Sequence, residues 1–230
     1  MKILIACEKS GTVRDAFIKL GHDAISCDMQ PSDSDFGPHY QGDVRDLLDY
    51  PFDMMIAHPP CTHIAVSGSR HFEKKIHDGR QHAAVSFFMM LAKCDIPRIA
   101  IENPVCIMSS VYRKPDQIIH PWQFGHMEQK TTCLWLKGLP LLNPTMDVKE
   151  EMMRLPRKER ERIHFCSPGK ERSNIRSKTF QGIADAMAMQ WGGDVRQGEQ
   201  EDLFGVQHEH YKRIIGSHEL HSSGEEEQFT

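Results

Sequence analysis

The sequence has no long apolar run, no CxxC pair and no large excess of charge of either sign. No window approaches the about 18 consecutive apolar residues that a membrane-spanning helix requires. The start, MKILIACEKSGT, lacks the basic segment, apolar core and cleavage site of a secretory signal. These absences argue against membrane and secreted proteins. We therefore expect a cytoplasmic protein of a bacterium or a phage-infected host cell, with no obligate protein partner evident.

The chain has seven cysteines, an odd number, and none of them are spaced as a CxxC pair. This usage argues against a disulfide framework and against a four-cysteine zinc module. His58, Cys61 and His63 form a His-x-x-Cys-x-His cluster, but the Cys-x-His spacing is tighter than in usual zinc sites and no second cysteine pair completes it. We predict reduced thiols and no metal site.

Charge is distributed unevenly along the 230 residues, although 28 basic and 32 acidic side chains give a formal charge of only −4. Residues 149–178 contain ten Lys or Arg and five Glu, whereas the chain from Gly192 onward contains nine acids and three bases. A local basic segment of this kind is typical of phosphate contacts, although a solvated helix face is the favoured interpretation of its part from Arg154 to Arg162. The acidic end, residues 192–230, has few apolar residues and is expected to be a flexible tail.

Short apolar runs alternate with helical patterns over residues 1–105. The predicted strands are 3–6, 22–28, 52–57 and 98–101, and the predicted helices are 12–20 and 79–93. Ser10 or Thr12 is positioned to cap the first helix. This alternation predicts an α/β fold with a doubly wound, mostly parallel sheet and helices on both faces, of the Rossmann-like type. After residue 105, the sequence predicts a strand over 132–136 and an amphipathic helix over 179–191.

Two chemically capable motifs follow neighbouring predicted strands. Pro59-Pro60-Cys61 follows one strand and Glu102-Asn103-Pro104 follows the next. The carboxyl ends of parallel strands meet at one edge of a sheet, so these motifs are expected to share a site. A cysteine thiolate beside a positioned acid can add to an electron-poor ring such as a pyrimidine.

These two motifs resemble those of the cytosine-C5 DNA methyltransferase family, and the chain looks like a small, phage-type member with a divergent cofactor loop. The resemblance implies a class I methyltransferase-like fold and a DNA cytosine-C5 one-carbon transferase. It implies that Cys61, within the Pro60-Cys61 motif, attacks C6 of the base. It also implies that Glu102 contacts N3 and that Asn103 orients the loop.

The resemblance also implies a cofactor site for S-adenosylmethionine. Asp28 matches the acidic position that meets ribose hydroxyls, and Asp43 lies in a Gly-Asp element that contacts adenine. The full set of implied cofactor residues is Cys7, Glu8, Ser10, Gly11, Asp28, Asp43 and Pro59. The loop after the first strand has one glycine, where the family has a Phe-x-Gly-x-Gly loop. An alternative donor is 5,10-methylenetetrahydrofolate, with which the same chemistry would give 5-hydroxymethylcytosine.

The family's large recognition region is reduced here to residues 105–178, within a catalytic domain spanning 1–191 that ends in a closing helix over 179–191. This size predicts weak sequence preference and affinity that comes mainly from phosphate contacts. The expected DNA-contacting residues are Ser67, Arg70, Arg172, Arg176, Lys178 and Thr179. A cytosine inside a duplex is out of reach, so the substrate is a duplex with a flipped base or a single strand. We expect residues 67–70 to form a flexible loop that closes over the flipped base.

The sequence is also consistent with two other functions. A nucleotide- or DNA-binding module that has lost catalysis is consistent with the altered glycine loop. An enzyme acting on free pyrimidine nucleotides is consistent with the short recognition region.

Overall fold

The protein forms one seven-stranded sheet, in a computed structural model that describes residues 1–167, 169 and 171–193. Apolar residues fill each central strand, as expected for strands that are covered on both faces. The strands are β1 (Lys2–Ala6), β2 (Asp23–Asp28), β3 (His39–Gln41), β4 (Met54–Ala57), β5 (Arg98–Asn103), β6 (Gln117–Ile119) and β7 (Thr132–Lys137).

The strand order is β3-β2-β1-β4-β5-β7-β6. Strands β1 to β5 pair in parallel, whereas β7 is antiparallel to both β5 and β6. The chain builds outward from β1 to β3 and then returns to place β4 on the other side of β1. This reversal makes the carboxyl ends of β1 and β4 the switch point at which open α/β sheets bind ligands.

Helices cover both faces of the sheet. One hydrophobic core, around Leu4, Met55 and Ile101, packs against Phe88 and Leu91 of the long helix. The other core, around Ile5 and Ile56, packs against the first and last helices. The helices are α1 (Thr12–Lys19), α2 (Phe72–His77), α3 (Arg80–Lys93), α4 (Met108–Val111), α5 (Lys149–Arg154), α6 (Arg157–Arg160), α7 (Glu171–Ser177) and α8 (Gln181–Met187). The predicted doubly wound, mostly parallel, Rossmann-like α/β fold is confirmed.

Several local predictions differ from the structure. The predicted closing helix over 179–191 is shorter, because α8 begins at Gln181 and gives way to a π-helical turn, Ala188–Gly192. The stretch 67–70, expected to be flexible, lies in a 3₁₀ helix, Val66–His71. Neither Ser10 nor Thr12 is the N-cap of the first helix. That position is occupied by Gly11, which has a left-handed backbone at φ 71°.

The region 105–178 contributes to the sheet itself. Its strands β6 and β7 extend the parallel sheet at one edge, and Trp135 and Leu142 are buried in the two cores. Only part of the region is therefore available as a recognition surface. The predicted acidic tail from Gly192 lies, apart from Gly192 and Gly193, outside the described residues. Within the described part of the chain, no helix combines the length and the apolarity needed to cross a membrane.

Candidate active site

Cys61 lies just beyond the carboxyl end of β4, next to the switch point. The backbone N–H of His58 still donates to the Ala6 carbonyl oxygen at 2.9 Å, and the strand ends there because Pro59 and Pro60 have no N–H to continue the ladder. The chain then turns sharply on Cys61, whose carbonyl oxygen accepts bonds from Ile64 and Ala65 at 3.0 and 2.8 Å. The turn holds the half-buried Cys61 at the edge of the sheet.

The loops after β4 and β5 are tied together. Asn103 is 1 % exposed, and its Nδ2 donates to the Pro59 carbonyl oxygen at 3.3 Å. Further along, Val66 donates to the carbonyl oxygen of Val105 at 3.1 Å. The structure therefore brings the two motifs singled out in the sequence next to each other at one edge of the sheet. Asn103 Oδ1 is buried and has no hydrogen-bond partner among the described residues.

Glu102 is buried and ionised beside Cys61. His58 Nδ1 donates to its Oε2 at 2.8 Å, and Thr179 Oγ1 reaches the same oxygen at 3.5 Å. Burial would raise the pKa of Glu102, but the positive charge of Lys130 and the bond from His58 outweigh it and lower that pKa to about 2. The acid is therefore a carboxylate held by a histidine, a hydroxyl and a nearby ammonium group.

Lys130 reaches this site because β7 is antiparallel. Since Asn103 at the end of β5 is opposite Cys133 near the start of β7, the chain just before β7 lies at the edge where β5 ends. Its charge acts on Glu102, His58 and Cys61. Sequence reasoning missed Lys130, since nothing local to it shows the direction in which β7 runs.

The Cys61 thiol is not pre-ionised. Burial raises the pKa of Cys61 most strongly, and the charge of Glu102 adds to this effect. Lys130 and Arg176 act in the opposite direction without reversing the shift. The thiol form therefore predominates at neutral pH, and the thiolate is favoured by a hydrogen bond from the backbone of Cys61 itself and by the two cations.

A second group of predicted residues clusters at the carboxyl ends of β1 and β2. Cys7, directly after β1, has a left-handed backbone at φ 59°, which is uncommon for a residue other than glycine. Burial, together with the charges of Asp28 and Asp43, raises the pKa of Cys7 to about 12. The structure thus brings these three side chains close to one another, at the edge that also holds Cys61.

Glu8 caps α1. Its carboxylate is 4 % exposed and accepts bonds from the backbone N–H groups of Val13 at 2.7 Å and Arg14 at 3.2 Å, with Ser10 Oγ donating at 3.1 Å. The carboxylate therefore fills the anion-binding position that an α/β fold offers at this helix N-terminus. A ligand phosphate cannot bind to these two N–H groups while Glu8 holds them.

The predicted DNA-contacting residues do not form one uniform surface. Ser67 and Arg70 are exposed on the 3₁₀ helix after the Cys61 loop, and Lys178 is exposed as well. Arg176 is half-buried on α7, within electrostatic range of Cys61. Thr179 differs from the others because it is buried and directed at Glu102. The remaining predicted contact, Arg172, is half-buried on α7.

The described residues contain no group of three His, Cys, Asp or Glu side chains arranged to hold a metal ion. His58 instead pairs with Glu102. Its role was missed because the sequence placed it only in a possible zinc cluster.

No protein-family model matches the chain, and no curated protein is similar to it. Among solved structures, one described as a DNA modification methyltransferase encoded within a prophage of E. coli is similar, with 17% sequence identity, a TM-score of 0.44, and coverage of 68% of this chain and 56% of that one. The methyltransferase EhMeth of Entamoeba histolytica is similar at 16% identity and a TM-score of 0.44, with coverage of 64% and 57%. This chain covers little more than half the length of each of these two similar proteins.

Proposed function

We propose that the protein is a DNA cytosine-C5 one-carbon transferase that acts through a covalent bond between Cys61 and C6 of the base. The observation that carries the proposal is the pairing of Cys61 with a buried Glu102 on two loops joined by the Asn103–Pro59 hydrogen bond. A nucleophile and an acid on rigid strand ends are what activation of cytosine C5 needs, because C5 is not nucleophilic until a group adds at C6.

In the first step the Cys61 thiolate forms the Sγ–C6 bond. The C5=C6 electron pair moves to form C4=C5, and the N3=C4 pair moves onto N3, which takes a proton. Glu102 contacts N3 in this scheme. Both side chains that donate to its carboxylate, His58 and Thr179, reach Oε2, so among the described residues Oε1 is the oxygen without a side-chain donor. After C5 has gained its substituent, the C5 proton leaves and Cys61 departs, which restores the aromatic ring.

The donor site is assigned to the group formed by Cys7, Asp28 and Asp43. Carboxylates only accept hydrogen bonds when ionised, and the ribose hydroxyls and adenine amine of S-adenosylmethionine are donors, so the residues fit that part of the cofactor. S-adenosylmethionine has no phosphate, in keeping with the occupation of the α1 N-terminus by Glu8. When bound, the donor supplies the one-carbon group to C5.

The alternative donor is 5,10-methylenetetrahydrofolate, which would give its methylene group to C5 and leave as tetrahydrofolate. Water would then add to give 5-hydroxymethylcytosine, with the same Cys61 and Glu102 chemistry. The observation that favours it is the loop Cys7 to Gly11, which has one glycine where the methyltransferase family has two. Pterin amine groups are also donors, so the acidic residues accommodate either compound.

The substrate is assigned as DNA because positive charge lies beside the nucleophile. Arg176 and Lys130 both act on Cys61, and Lys178 is exposed in the segment that follows α7. Phosphate contacts by such groups give affinity with little sequence preference. The triple variant R172A/R176A/K178A should weaken DNA binding and flatten its salt dependence. R154A/R157A/K158A, with three basic residues from the preceding helices, is the control.

The decisive experiment is covalent trapping on DNA that contains 5-fluorocytosine. The protein is incubated with single-stranded or duplex DNA and with each donor separately, and the complex is detected by denaturing electrophoresis. We expect a complex with wild type and with Cys94→Ser, which changes another half-buried free cysteine, and none with Cys61→Ser. Absence of a complex under every donor and strand condition would exclude the mechanism.

Product analysis then separates the two donors. Mass spectrometry of digested DNA should show 5-methylcytosine with S-adenosylmethionine or 5-hydroxymethylcytosine with methylenetetrahydrofolate. A non-catalytic binding module is the competing function, and the raised pKa of the Cys61 thiol favours it over an enzyme with a pre-formed thiolate. It predicts DNA binding that Cys61→Ala leaves intact and no modified base with either donor.

A further inference from the structure

His58 is a buried histidine at the centre of the sheet edge. It has no chemical role in the addition of Cys61 to cytosine or in the transfer to C5. It follows β4 directly, its backbone is bonded to Ala6 of β1, and its side chain is 10 % exposed. One ring nitrogen, Nδ1, lies 2.8 Å from Glu102 Oε2. The other, Nε2, is buried and has no partner among the described residues.

Charged groups on three elements surround the ring. Glu102 acts from the end of β5, Glu8 from the end of β1, and Lys130 from the segment before β7. Burial lowers the pKa of His58, but its hydrogen bond to Glu102 and the charges of Glu102 and Glu8 outweigh burial and the repulsion by Lys130, so the net shift is upward. The pair therefore holds an imidazolium and a carboxylate, with a proton in the bond between them.

This arrangement addresses a problem in the proposed chemistry. N3 must gain a proton as Cys61 attacks C6, yet Glu102 is ionised in the resting protein. A carboxylate alone has no proton to give. Of the side chains that contact Glu102, His58 is the one that carries a transferable proton at neutral pH.

We propose that His58 is the proton source for the proposed reaction, acting through Glu102 as a positioning residue that does not itself touch the base. The proton leaves His58 Nδ1 for Glu102 Oε2, and the carboxylic acid formed there turns and gives this proton to N3, so Glu102 is a carboxylate before and after the transfer. The imidazolium becomes a neutral imidazole as the Sγ–C6 bond forms. When Cys61 leaves, N3 returns its proton to the pair. The inference rests on the proposed function, since it needs the Cys61 addition to occur.

The test uses loss of deuterium from C5, a reaction that needs no donor. After Cys61 adds, C5 accepts a solvent proton and then loses the deuteron, so DNA prepared with 5-deuterocytosine loses mass only if the addition and the N3 protonation take place. The rate is measured by mass spectrometry from pH 5 to pH 10 on single-stranded and duplex DNA. The variants are His58→Asn and His58→Gln, and His82→Asn, an exposed histidine of α3, is the control.

For wild type and H82N we expect a rate that rises with pH as Cys61 ionises and then levels off once His58 begins to lose its proton, because the further gain in thiolate is offset by the loss of imidazolium. For H58N, which retains a side-chain amide near Nδ1 but cannot titrate, we expect a rate about a hundredfold lower near neutral pH that continues to rise with Cys61 ionisation and does not level off where wild type does. Binding to DNA should change little, so the loss appears in the maximal rate rather than in the half-saturating DNA concentration.

Two outcomes overturn the inference alone. One is an H58N or H58Q profile that levels off at the same pH as wild type, which would make His58 only a structural support. The other is a wild-type rate that keeps rising to pH 10, a result that stands even if both variants fail to fold. Failure of wild type to release any deuterium from C5 would instead overturn the proposed function, and the role of His58 with it.

Discussion

Asn103 Nδ2 donates a hydrogen bond to the Pro59 carbonyl oxygen, at 3.3 Å and out of contact with bulk water. The bond crosses between the ends of two parallel strands, so it fixes the loop of Cys61 relative to the end of β5, which carries Glu102. The two prolines restrict the direction of this carbonyl oxygen, because the ring of Pro59 fixes its φ and the following Pro60 restricts its ψ. The relative position of nucleophile and acid therefore depends on a residue that need not touch the substrate.

Replacing Asn103 should separate stability from geometry. Asn103→Asp preserves the shape of the side chain but loses the N–H donor and places a buried charge near Glu102, so we expect a loss of about 1–3 kcal/mol in the free energy of unfolding. Asn103→Ala removes both polar groups, including the unpartnered Oδ1, and should cost less. Urea denaturation measures both. A smaller loss for the aspartate than for the alanine variant would contradict this account.

The same pair of variants should lower the rate of C5 deuterium loss by about tenfold or more, since displacement of a catalytic group by a fraction of an ångström is costly. DNA binding should persist, because the basic residues lie elsewhere. If N103A exchanges deuterium at the wild-type rate while it is folded, the bond to Pro59 does not position the site.

The pH dependence of stability should report the His58–Glu102 pair. The folded pKa of Glu102, about 2, is below its usual 4.5, so this group stabilises the folded protein above pH 4.5 and loses that contribution as the pH falls toward 2. The pKa of His58 is raised, so its contribution is present below pH 6.5 and is lost as the pH rises through the folded value. The pair is therefore most stabilising at mildly acidic pH.

Comparison with Glu102→Gln isolates this effect. We expect the free energy of unfolding of wild type, relative to E102Q, to fall by up to about 3 kcal/mol between pH 4.5 and pH 2. Only the change with pH is informative, because a buried ion pair and its neutral replacement can be equally stable at one pH. A difference that does not vary over this range would show that Glu102 is not held ionised.

Glu8 should matter for stability because it caps α1. Glu8→Ala removes the acceptor for the N–H groups of Val13 and Arg14, and we expect it to cost about 1–2 kcal/mol, in the range of other N-terminal caps. Glu8→Gln retains an acceptor oxygen and should cost less. Exposed Glu73→Ala, in the first turn of α2, is the control in thermal or urea unfolding. Equal stability of E8A and E73A would contradict the capping role.

The sequence was sufficient to predict strands β1, β2, β4 and β5 of the parallel part of the sheet and the edge at which Cys61 and Glu102 lie. Apolar runs such as Met54–Ala57 end at prolines, and chemically capable residues follow them, so local patterns were enough to place Cys61 and Glu102 together. Strand β3 was not predicted, because three residues, His39–Gln41, are too few to show a period. The partners of Glu102 depend on contacts between distant segments, and neither His58 nor Lys130 could be assigned to it from local sequence.

Lys130 offers the sharpest test of the electrostatics at Cys61. Its charge lowers the pKa of both Cys61 and Glu102, so Lys130→Gln should raise both. Lys137→Gln is a matched control, because Lys137 lies at the opposite end of β7 and its ammonium group contacts the Cys94 carbonyl oxygen at 3.1 Å. Only the first substitution removes charge from the site.

The measurement is the rate of Cys61 alkylation by iodoacetamide as a function of pH, resolved by peptide mass spectrometry. In K130Q the midpoint of this profile should move upward by several tenths of a pH unit to about one unit, while K137Q should follow wild type. C5 deuterium loss should shift in the same direction, because it needs the same thiolate. If K130Q and K137Q give identical alkylation profiles, Lys130 does not act on the thiol, and Arg176 on α7 becomes the cation on which thiolate formation depends.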